Sequence, residues 1–159
     1  MTQTSSNERG ANVSFPPPLV FLGLTLLGVT LQYFMGPIPF PVNFWIKITG
    51  IVILIAGLVL MVAAVLEFRR TGQDPKPWKP SPKLVLRGPY RLTRNPMYVG
   101  VTGVQFGLGL LLGNLWISLL APCALLVVHF MAVLPEEQYL GKKFGHDYEE
   151  YCKRVRRYL

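Results

Sequence analysis

Charged side chains are scarce in this 159-residue sequence, and they are unevenly distributed. Only 15% of its residues are Asp, Glu, Lys or Arg, against about 25% in an ordinary soluble domain. Three blocks contain none of these residues: 10–46, 48–66 and 95–135. A soluble domain could not leave so much of its surface uncharged, and a content of 51% hydrophobic residues excludes a disordered chain. The sequence therefore predicts an integral membrane protein.

Acidic residues and cysteines are few, with eight Asp and Glu and two Cys. The excess of basic residues gives a formal net charge of +8, and fourteen of the sixteen Lys and Arg residues lie in 69–94 and 142–157. Membrane proteins keep such clusters in cytoplasmic loops, so the charge indicates topology rather than nucleic-acid binding. Cys123 and Cys152 are not a plausible disulfide pair, and no metal-ligand spacing includes them. Neither a disulfide nor a metal site is expected.

Prolines and glycines divide the apolar sequence into segments that can cross a bilayer, which needs about 20 residues. The polar residues 1–15 come first and are predicted to be a disordered tail without a cleavable signal peptide. The Pro-rich turn at 36–41 separates the first two apolar segments, and Gly113-Asn114 divides the third block into a tight helical hairpin. We predict a single all-α membrane domain over 16–159. Its transmembrane helices, about four in number, lie at about 19–35, 43–68, 97–112 and 115–134.

Four spans would bring both basic clusters to one side of the membrane. The loop 69–96 and the tail 136–159 then lie in the cytoplasm with both termini, while the uncharged turns lie on the other side. Three or five spans would separate the two clusters. The sequence therefore favours a multi-pass protein with cytoplasmic termini, and it leaves the oligomeric state open.

The tail 136–159 carries apolar side chains at helical spacing with basic residues around them. The apolar positions are Leu140, Phe144, Tyr148, Tyr151, Val155 and Tyr158. This pattern predicts an amphipathic helix that lies on anionic lipid, and a lid over a site is a compatible addition. Gly145 interrupts the helix, and the spacing of Asp147 and Glu150 predicts a capped restart.

Several residues within the spans are interpreted as packing residues. Gly103 and Gly107 have the GxxxG spacing that lets helix backbones approach closely. His129 is expected to be a hydrogen-bonded histidine between helices, with a role as proton acceptor as the alternative. Glu67 is expected to pair with Arg70 or another basic residue of the loop, with a role facing the substrate as the alternative.

Polar residues concentrate at both cytoplasmic ends of the predicted hairpin. The first end is LVLRGPYRLTRNPMYVG, residues 84–100, and the second carries Glu136 and Glu137. Because a hairpin brings its ends together, we expect the carboxylates to face Arg94, Asn95 and two tyrosines in a pocket at the water–lipid boundary. These groups suit the sulfonium and the amino-acid head of a methyl donor such as S-adenosylmethionine. The same residues could equally be basic membrane anchors and a helix cap.

Together with PEEQYLGKKFGHDYEEYCKRVRRYL, residues 135–159, the 84–100 segment resembles the isoprenylcysteine carboxyl methyltransferase family and its small prokaryotic members. That family is related to the phospholipid N-methyltransferases. The resemblance covers about residues 67–159. It implies a helical enzyme of a prokaryotic inner membrane that binds S-adenosylmethionine near the cytosolic face. Its acceptors would be lipophilic or amphipathic molecules taken from the membrane lipid.

The resemblance also implies roles for individual residues. The implied cofactor-binding residues are Leu84, Val85, Tyr90, Asn95, Pro96, Met97, Tyr98, Gly100 and Glu136. Leu84 and Val85 match the adenine side of the family's site. Arg94 matches the arginine of the family's Arg-His-Pro-x-Tyr motif and is implied as catalytic, as is Glu137 beside the cofactor-binding acid. No metal ligand is implied.

Two positions depart from the family's pattern. Asn95 replaces the usual histidine of the motif and can form hydrogen bonds, but it cannot act as an acid or base near neutral pH. Ala132 stands where the isoprenylcysteine enzymes carry an arginine that suits a substrate carboxylate. The methyl donor is therefore better indicated than the acceptor.

Two other classes of protein remain open at this point. Membrane reductases of the sterol and enone type share an Arg-x-Pro-x-Tyr segment and a similar tail, but they use NADPH. Those reductases tend to carry Arg-Asp where this chain has Glu136 and Glu137, and an acidic pair repels a cofactor that bears phosphates. A non-catalytic membrane protein would have the same apolar spans.

Overall fold

The computed structural model describes residues 11, 13, 15–72, 74, 76, 79 and 81–159, and its regular secondary structure over that part of the chain is entirely helical. The described residues form α1 (Pro17–Met35), α2 (Phe44–Arg70), α3 (Pro96–Leu112), α4 (Leu115–Val128), α5 (Leu134–Phe144) and α6 (His146–Arg154). A 3-10 turn at Gly88–Arg91 precedes α3, and a π turn at His129–Val133 joins α4 to α5. The all-helical prediction is confirmed.

Three helices are long and apolar enough to cross a membrane: α1, α2 and the continuous helix Leu115–Phe144. α3 is apolar too, but it has only 17 residues. The bounds of α1, α2 and α3 match the predicted spans to within two residues. Many of their large apolar side chains are exposed, Leu26 and Val59 among them, as expected of a surface in contact with lipid. The membrane character is supported, and the number of four spans stays a prediction.

Glycines bring α2 and α3 into direct backbone contact. Gly50 and Gly57 of α2 face Gly107 and Gly100 of α3. A Cβ atom at Gly57 would lie 2.6 Å from the carbonyl oxygen of Gly100, so no side chain fits between the two backbones. At Gly103 the nearest atom would be 3.4 Å away, which is an ordinary contact. The predicted packing role is confirmed for Gly107, with α2 as the partner helix, whereas the space at Gly103 would admit a Cβ atom.

The hairpin turn lies at Gly113-Asn114, as predicted. Gly113 has a φ of 66°, in the left-handed region that favours glycine. The Oδ1 of Asn114 accepts a hydrogen bond from the backbone N–H of Ile117 and caps α4. Its Nδ2 donates to the carbonyl of Gly28 in α1 at 3.3 Å. One short turn therefore holds α1, α3 and α4 together.

The fourth predicted helix does not end at residue 134. Pro135 has no N–H to donate, and its ring crowds the preceding turn, so an ordinary α-helix would break there. The π turn widens the helix just before the proline, where the N–H of Leu134 donates to the carbonyl of His129. The helix therefore continues past Pro135 to Phe144, and Glu136 and Glu137 lie in the first turn of α5.

The predicted amphipathic tail is wrong in its second half. α6 ends at Arg154 and Val155 is extended, so the helical face does not reach Tyr158. Gly145 separates α5 from α6 as predicted. However, Gly145 itself occupies the N-cap of α6, and no side chain caps that helix. Tyr148 and Tyr151 are buried, so the apolar face of α6 packs against the protein and does not lie on lipid.

The tail predicted to be disordered lies largely outside the described residues, which lack 1–10, 12 and 14. Ala11 is buried, and Val13 packs against the core cluster that contains Phe21. α1 then begins with two prolines in its first turn, a position where their missing N–H groups cost nothing.

Candidate functional site

An open cleft of about 820 Å³, its mouth to solvent included, lies where α3 and α5 begin. It is lined by ten of the predicted site residues: Leu84, Val85, Tyr90, Arg94, Asn95, Pro96, Met97, Tyr98, Glu136 and Glu137. Gly100 does not line the cleft. A Cβ atom there would meet the backbones of Gly57 and Met61 in α2, so this glycine serves helix packing. The roles assigned to the other ten stay predictions.

A hydrogen bond joins the two ends of the hairpin inside the cleft. The hydroxyl of Tyr98 on α3 donates to Oε1 of Glu136 on α5, at 2.5 Å. The two segments that were expected to be neighbours are therefore in contact. The bond holds the carboxyl group of Glu136 against the ring of Tyr98 inside the cleft.

The opposite side of the cleft is aromatic and apolar. Tyr90 is buried in a cluster with Val85 and Ala64, and its ring lies 5.5 Å from that of Phe68. The carbonyl of Tyr90 accepts a hydrogen bond from the hydroxyl of Tyr151 on α6, at 2.7 Å. Burial and the nearby carboxylate of Glu136 raise the pKa of Tyr90 above its usual value, so its hydroxyl stays protonated. Among the described residues this buried hydroxyl has no hydrogen-bond partner.

The two residues predicted to be catalytic are already paired with each other. Arg94 Nη1 lies 3.1 Å from Glu137 Oε1, and both side chains are largely buried. Arg157 binds the same carboxylate in a bidentate manner, with Nε at 2.9 Å and Nη2 at 2.7 Å. The hydrogen bond with Glu137 also raises the pKa of Arg157. These contacts give Arg94 and Glu137 a structural role in the lining of the cleft, and their catalytic role stays a prediction.

Further residues line the cleft without having been predicted for it. They are Ala11, Phe68, Lys76, Ser81, Lys83, Tyr139, Leu140, Tyr148 and Tyr151. Tyr139 on α5 binds the loop before α3, because its hydroxyl accepts a hydrogen bond from the N–H of Ser81. The same hydroxyl also accepts a hydrogen bond from Nζ of Lys143. The helical spacing of Leu140, Tyr148 and Tyr151 did signal one shared apolar face, but it could not tell lipid from cleft.

Three residues of the spans lie outside the cleft. His129 shares a hydrogen bond with the hydroxyl of Tyr158 at 2.8 Å, so it is hydrogen-bonded as predicted, but its partner lies in the extended segment after α6 and not on a neighbouring helix. Glu67 pairs with Arg70 at 3.5 Å, also as predicted. Ala132 is fully buried in the core cluster between α1 and α4 and does not line the cleft.

Comparison with known proteins agrees with this arrangement. The model of the phospholipid methyltransferase family matches residues 45–147. Protein-S-isoprenylcysteine O-methyltransferase B of Arabidopsis thaliana is 31% identical over 138 residues, which cover 83% of this chain and 70% of that protein. Protein-S-isoprenylcysteine O-methyltransferase of Schizosaccharomyces pombe is 39% identical over 72 residues, which cover 45% of this chain and 30% of that protein. No solved structure matches the chain.

These matches favour the methyltransferase prediction over the reductase and non-catalytic alternatives. The family match spans the cleft-lining segment of α3 and both acidic residues of α5. The Arabidopsis match covers most of the chain. The chain belongs to the phospholipid methyltransferase family, as a membrane methyltransferase similar to the isoprenylcysteine O-methyltransferases.

Proposed function

We propose that the chain is an S-adenosylmethionine-dependent methyltransferase whose cleft binds the methyl donor and whose acceptor comes from the membrane. The observation that carries this proposal is the contact between Tyr98 and Glu136. It holds a carboxylate next to aromatic rings, and both groups attract a sulfonium cation. The same carboxylate repels the phosphates of a nicotinamide cofactor.

The chemistry of the lining fits the parts of such a donor. Glu136 and Tyr98 suit the positive charge, and Leu84, Val85 and Met97 offer an apolar surface for a purine. The buried hydroxyl of Tyr90 has no partner among the described residues, so it is free to donate to the amino-acid head. When bound, the donor supplies an electrophilic methyl group.

The chain's own residues contribute binding, orientation and exclusion of water. Methyl transfer is an in-line displacement, so fixing the two reactants supplies much of the rate. Tyr148 and Tyr151 on α6 cover one side of the cleft, and both are buried. Asn95 lines the cleft where the family has a histidine, and its Nδ2 donates to the carbonyl of Arg157. We therefore assign no acid or base role to this position.

The acceptor is proposed to be a lipophilic or amphipathic small molecule. Both relatives are named for methylating an isoprenylcysteine. This chain carries Ala132 where an arginine would suit the carboxylate of such a substrate, and Ala132 is fully buried among apolar residues. We extend the lipophilic class of acceptor to this chain, but not the carboxylate.

Calorimetry on the purified protein tests the donor. We expect S-adenosylmethionine and its product S-adenosylhomocysteine to bind, because the cleft suits the charge and the purine. NADPH and adenosine serve as matched ligands, the first for the reductase alternative and the second for purine binding alone. Binding of NADPH without S-adenosylmethionine would support a reductase, and binding of neither donor nor NADPH would support a non-catalytic protein.

We also propose four spans with both basic clusters in the cytoplasm. In a protein with Cys123→Ala and Cys152→Ser, single cysteines at the exposed positions Pro82 and Lys153 should be labelled from the same side by an impermeant thiol reagent. Pro39→Cys is the control and should be labelled from the other side. The reason is that Lys and Arg residues are retained in the cytoplasm. Labelling of Pro82→Cys and Lys153→Cys from opposite sides would contradict the four-span topology.

A further inference from the structure

The proposed function does not explain the extended segment that follows α6. This segment, residues 155–159, is called the return segment here. It leaves α6 at Val155, whose φ of −125° and ψ of 131° are those of a strand. It then contacts both the beginning of α3 and the continuous helix that contains α4 and α5. Both elements contribute residues to the cleft, Tyr98 from α3 and Glu136 from α5, and these two residues are hydrogen-bonded to each other.

Three hydrogen bonds tie the return segment to the beginning of α3. The N–H of Arg94 donates to the carbonyl of Arg156 at 2.9 Å. The carbonyl of Arg157 accepts from Oγ1 of Thr93 at 2.9 Å and from Nδ2 of Asn95 at 3.1 Å. Thr93 is fully buried and Asn95 is nearly so. Because a buried donor without its acceptor is costly, these bonds fix the return segment on α3.

Side chains of the return segment bind the continuous helix that contains α4 and α5. The guanidinium of Arg157 makes two parallel hydrogen bonds to Glu137, a geometry that adds direction as well as strength. Tyr158 is bonded to His129 in the π turn, at 2.8 Å. Glu137 also pairs with Arg94 at 3.1 Å, so α3, the return segment and α5 form a closed ring of contacts.

We propose that Arg157 is a positioning residue of the methyl-donor site, acting through Glu137. The return segment fixes the position of α5 relative to the beginning of α3. Glu136 directly precedes Glu137 in α5, so holding Glu137 also holds the carboxyl group that binds Tyr98. The inference rests on the proposed function, because the site that it positions is the proposed donor site. Arg157 itself does not line the cleft.

Titration of S-adenosylhomocysteine into the full-length protein tests this role. Arg157→Gln should weaken binding about tenfold, the size expected for the loss of a charged hydrogen-bonded pair. Arg157→Lys should restore part of the affinity, since an ammonium keeps the charge but not the bidentate geometry. The matched control is Arg156→Gln, an identical change at the neighbouring position. The Arg156 side chain is exposed, and it contributes to the ring only its backbone carbonyl. Its affinity should match that of the wild type to within about twofold, since exposed charges contribute little.

If Arg157 only stabilised the fold, these experiments would give a different result. Each variant's thermal unfolding midpoint is measured as well, and binding is titrated well below that midpoint. If Arg157→Gln lowers the midpoint but binds S-adenosylhomocysteine as tightly as the wild type, the positioning role is overturned. Equal losses in Arg157→Gln and Arg156→Gln would overturn it too, because they would reflect net charge.

A second variant covers the case in which Arg157→Gln does not fold. Thr93→Val removes a hydroxyl that donates to the return segment and also accepts from the backbone N–H of Asn95, at a residue that does not line the cleft. It should weaken binding about threefold, and unchanged affinity in this variant would count against the inference. If the wild type itself fails to bind S-adenosylhomocysteine, the proposed function fails, independently of the return segment.

Discussion

Replacing Glu136 with glutamine should raise the dissociation constant for S-adenosylmethionine by about 10- to 100-fold. The substitution keeps the shape of the side chain but removes a group that can carry a negative charge in the cleft. Hydrogen bonds to charged groups contribute about 1.5–3 kcal/mol, and each 1.36 kcal/mol is a factor of ten. Calorimetric titration of the purified variant measures the effect directly, and the rate of methyl transfer at limiting donor concentration should fall in parallel.

Two further variants test whether the loss of affinity comes from the position of Glu136 in the cleft. Glu150→Gln makes the same change on the exposed side of α6, where the carboxylate pairs with Arg154, and it should leave binding unchanged. Tyr98→Phe removes the hydroxyl that donates to Glu136 and should weaken binding about five- to tenfold. If Glu136→Gln bound S-adenosylmethionine as tightly as the wild type, the proposed donor site would have to be abandoned.

The second large effect concerns the contact between α2 and α3. Gly57→Ala should destabilise the protein by about 2–3 kcal/mol, the upper range for overpacking in a tightly packed interior. The added methyl group would lie 2.6 Å from the carbonyl oxygen of Gly100 and 2.8 Å from the backbone nitrogen of Val104. Backbone atoms cannot swing aside as a flexible side chain can, so the two helices must separate. Thermal unfolding in a fixed detergent measures the change.

Gly103→Ala is the matched control for this prediction. It adds the same methyl group to the same helix pair, but its nearest neighbour is the Cα of Gly57 at 3.4 Å. This is an ordinary contact, so the variant should lie within about 0.5 kcal/mol of the wild type. Equal unfolding midpoints for Gly57→Ala and Gly103→Ala would contradict the close approach of the two helices.

The helices were predictable because local features of the sequence determine most of them. Blocks without charged residues predicted α1, α2 and α3, and the pair Gly113-Asn114 predicted the hairpin turn. The helix through Pro135 was not predictable by the same rule. A proline often ends a helix, although α4 contains Pro122, and no sequence pattern shows that a π turn will accommodate Pro135.

The part of the cleft that the helical hairpin forms was predictable. Because a hairpin brings its two ends together, the segment that contains Tyr98 must meet the segment that contains Glu136. Gly100 was assigned to the site because it closes the motif, but it lies on the side of α3 that packs against α2. No sequence pattern predicted the contact between the return segment and the beginning of α3. Its hydrogen bonds are accepted by backbone carbonyls such as that of Arg157, and every residue has a backbone carbonyl.

The π turn joins the part of the helix that is buried in the core to the part that carries Glu136 and Glu137, and it determines where these acidic side chains point. The turn is wide enough to accommodate the ring of Pro135, which has no N–H to donate. Losing a single residue between His129 and Val133 would restore regular α geometry, and the ring of Pro135 would then crowd the preceding turn and kink or break the helix before Glu136. Glu136 would no longer point into the cleft while Val128 stays buried in the core. A substitution in this turn keeps the number of residues, and with it the wide turn, whereas a deletion removes the turn and misdirects the carboxyl group.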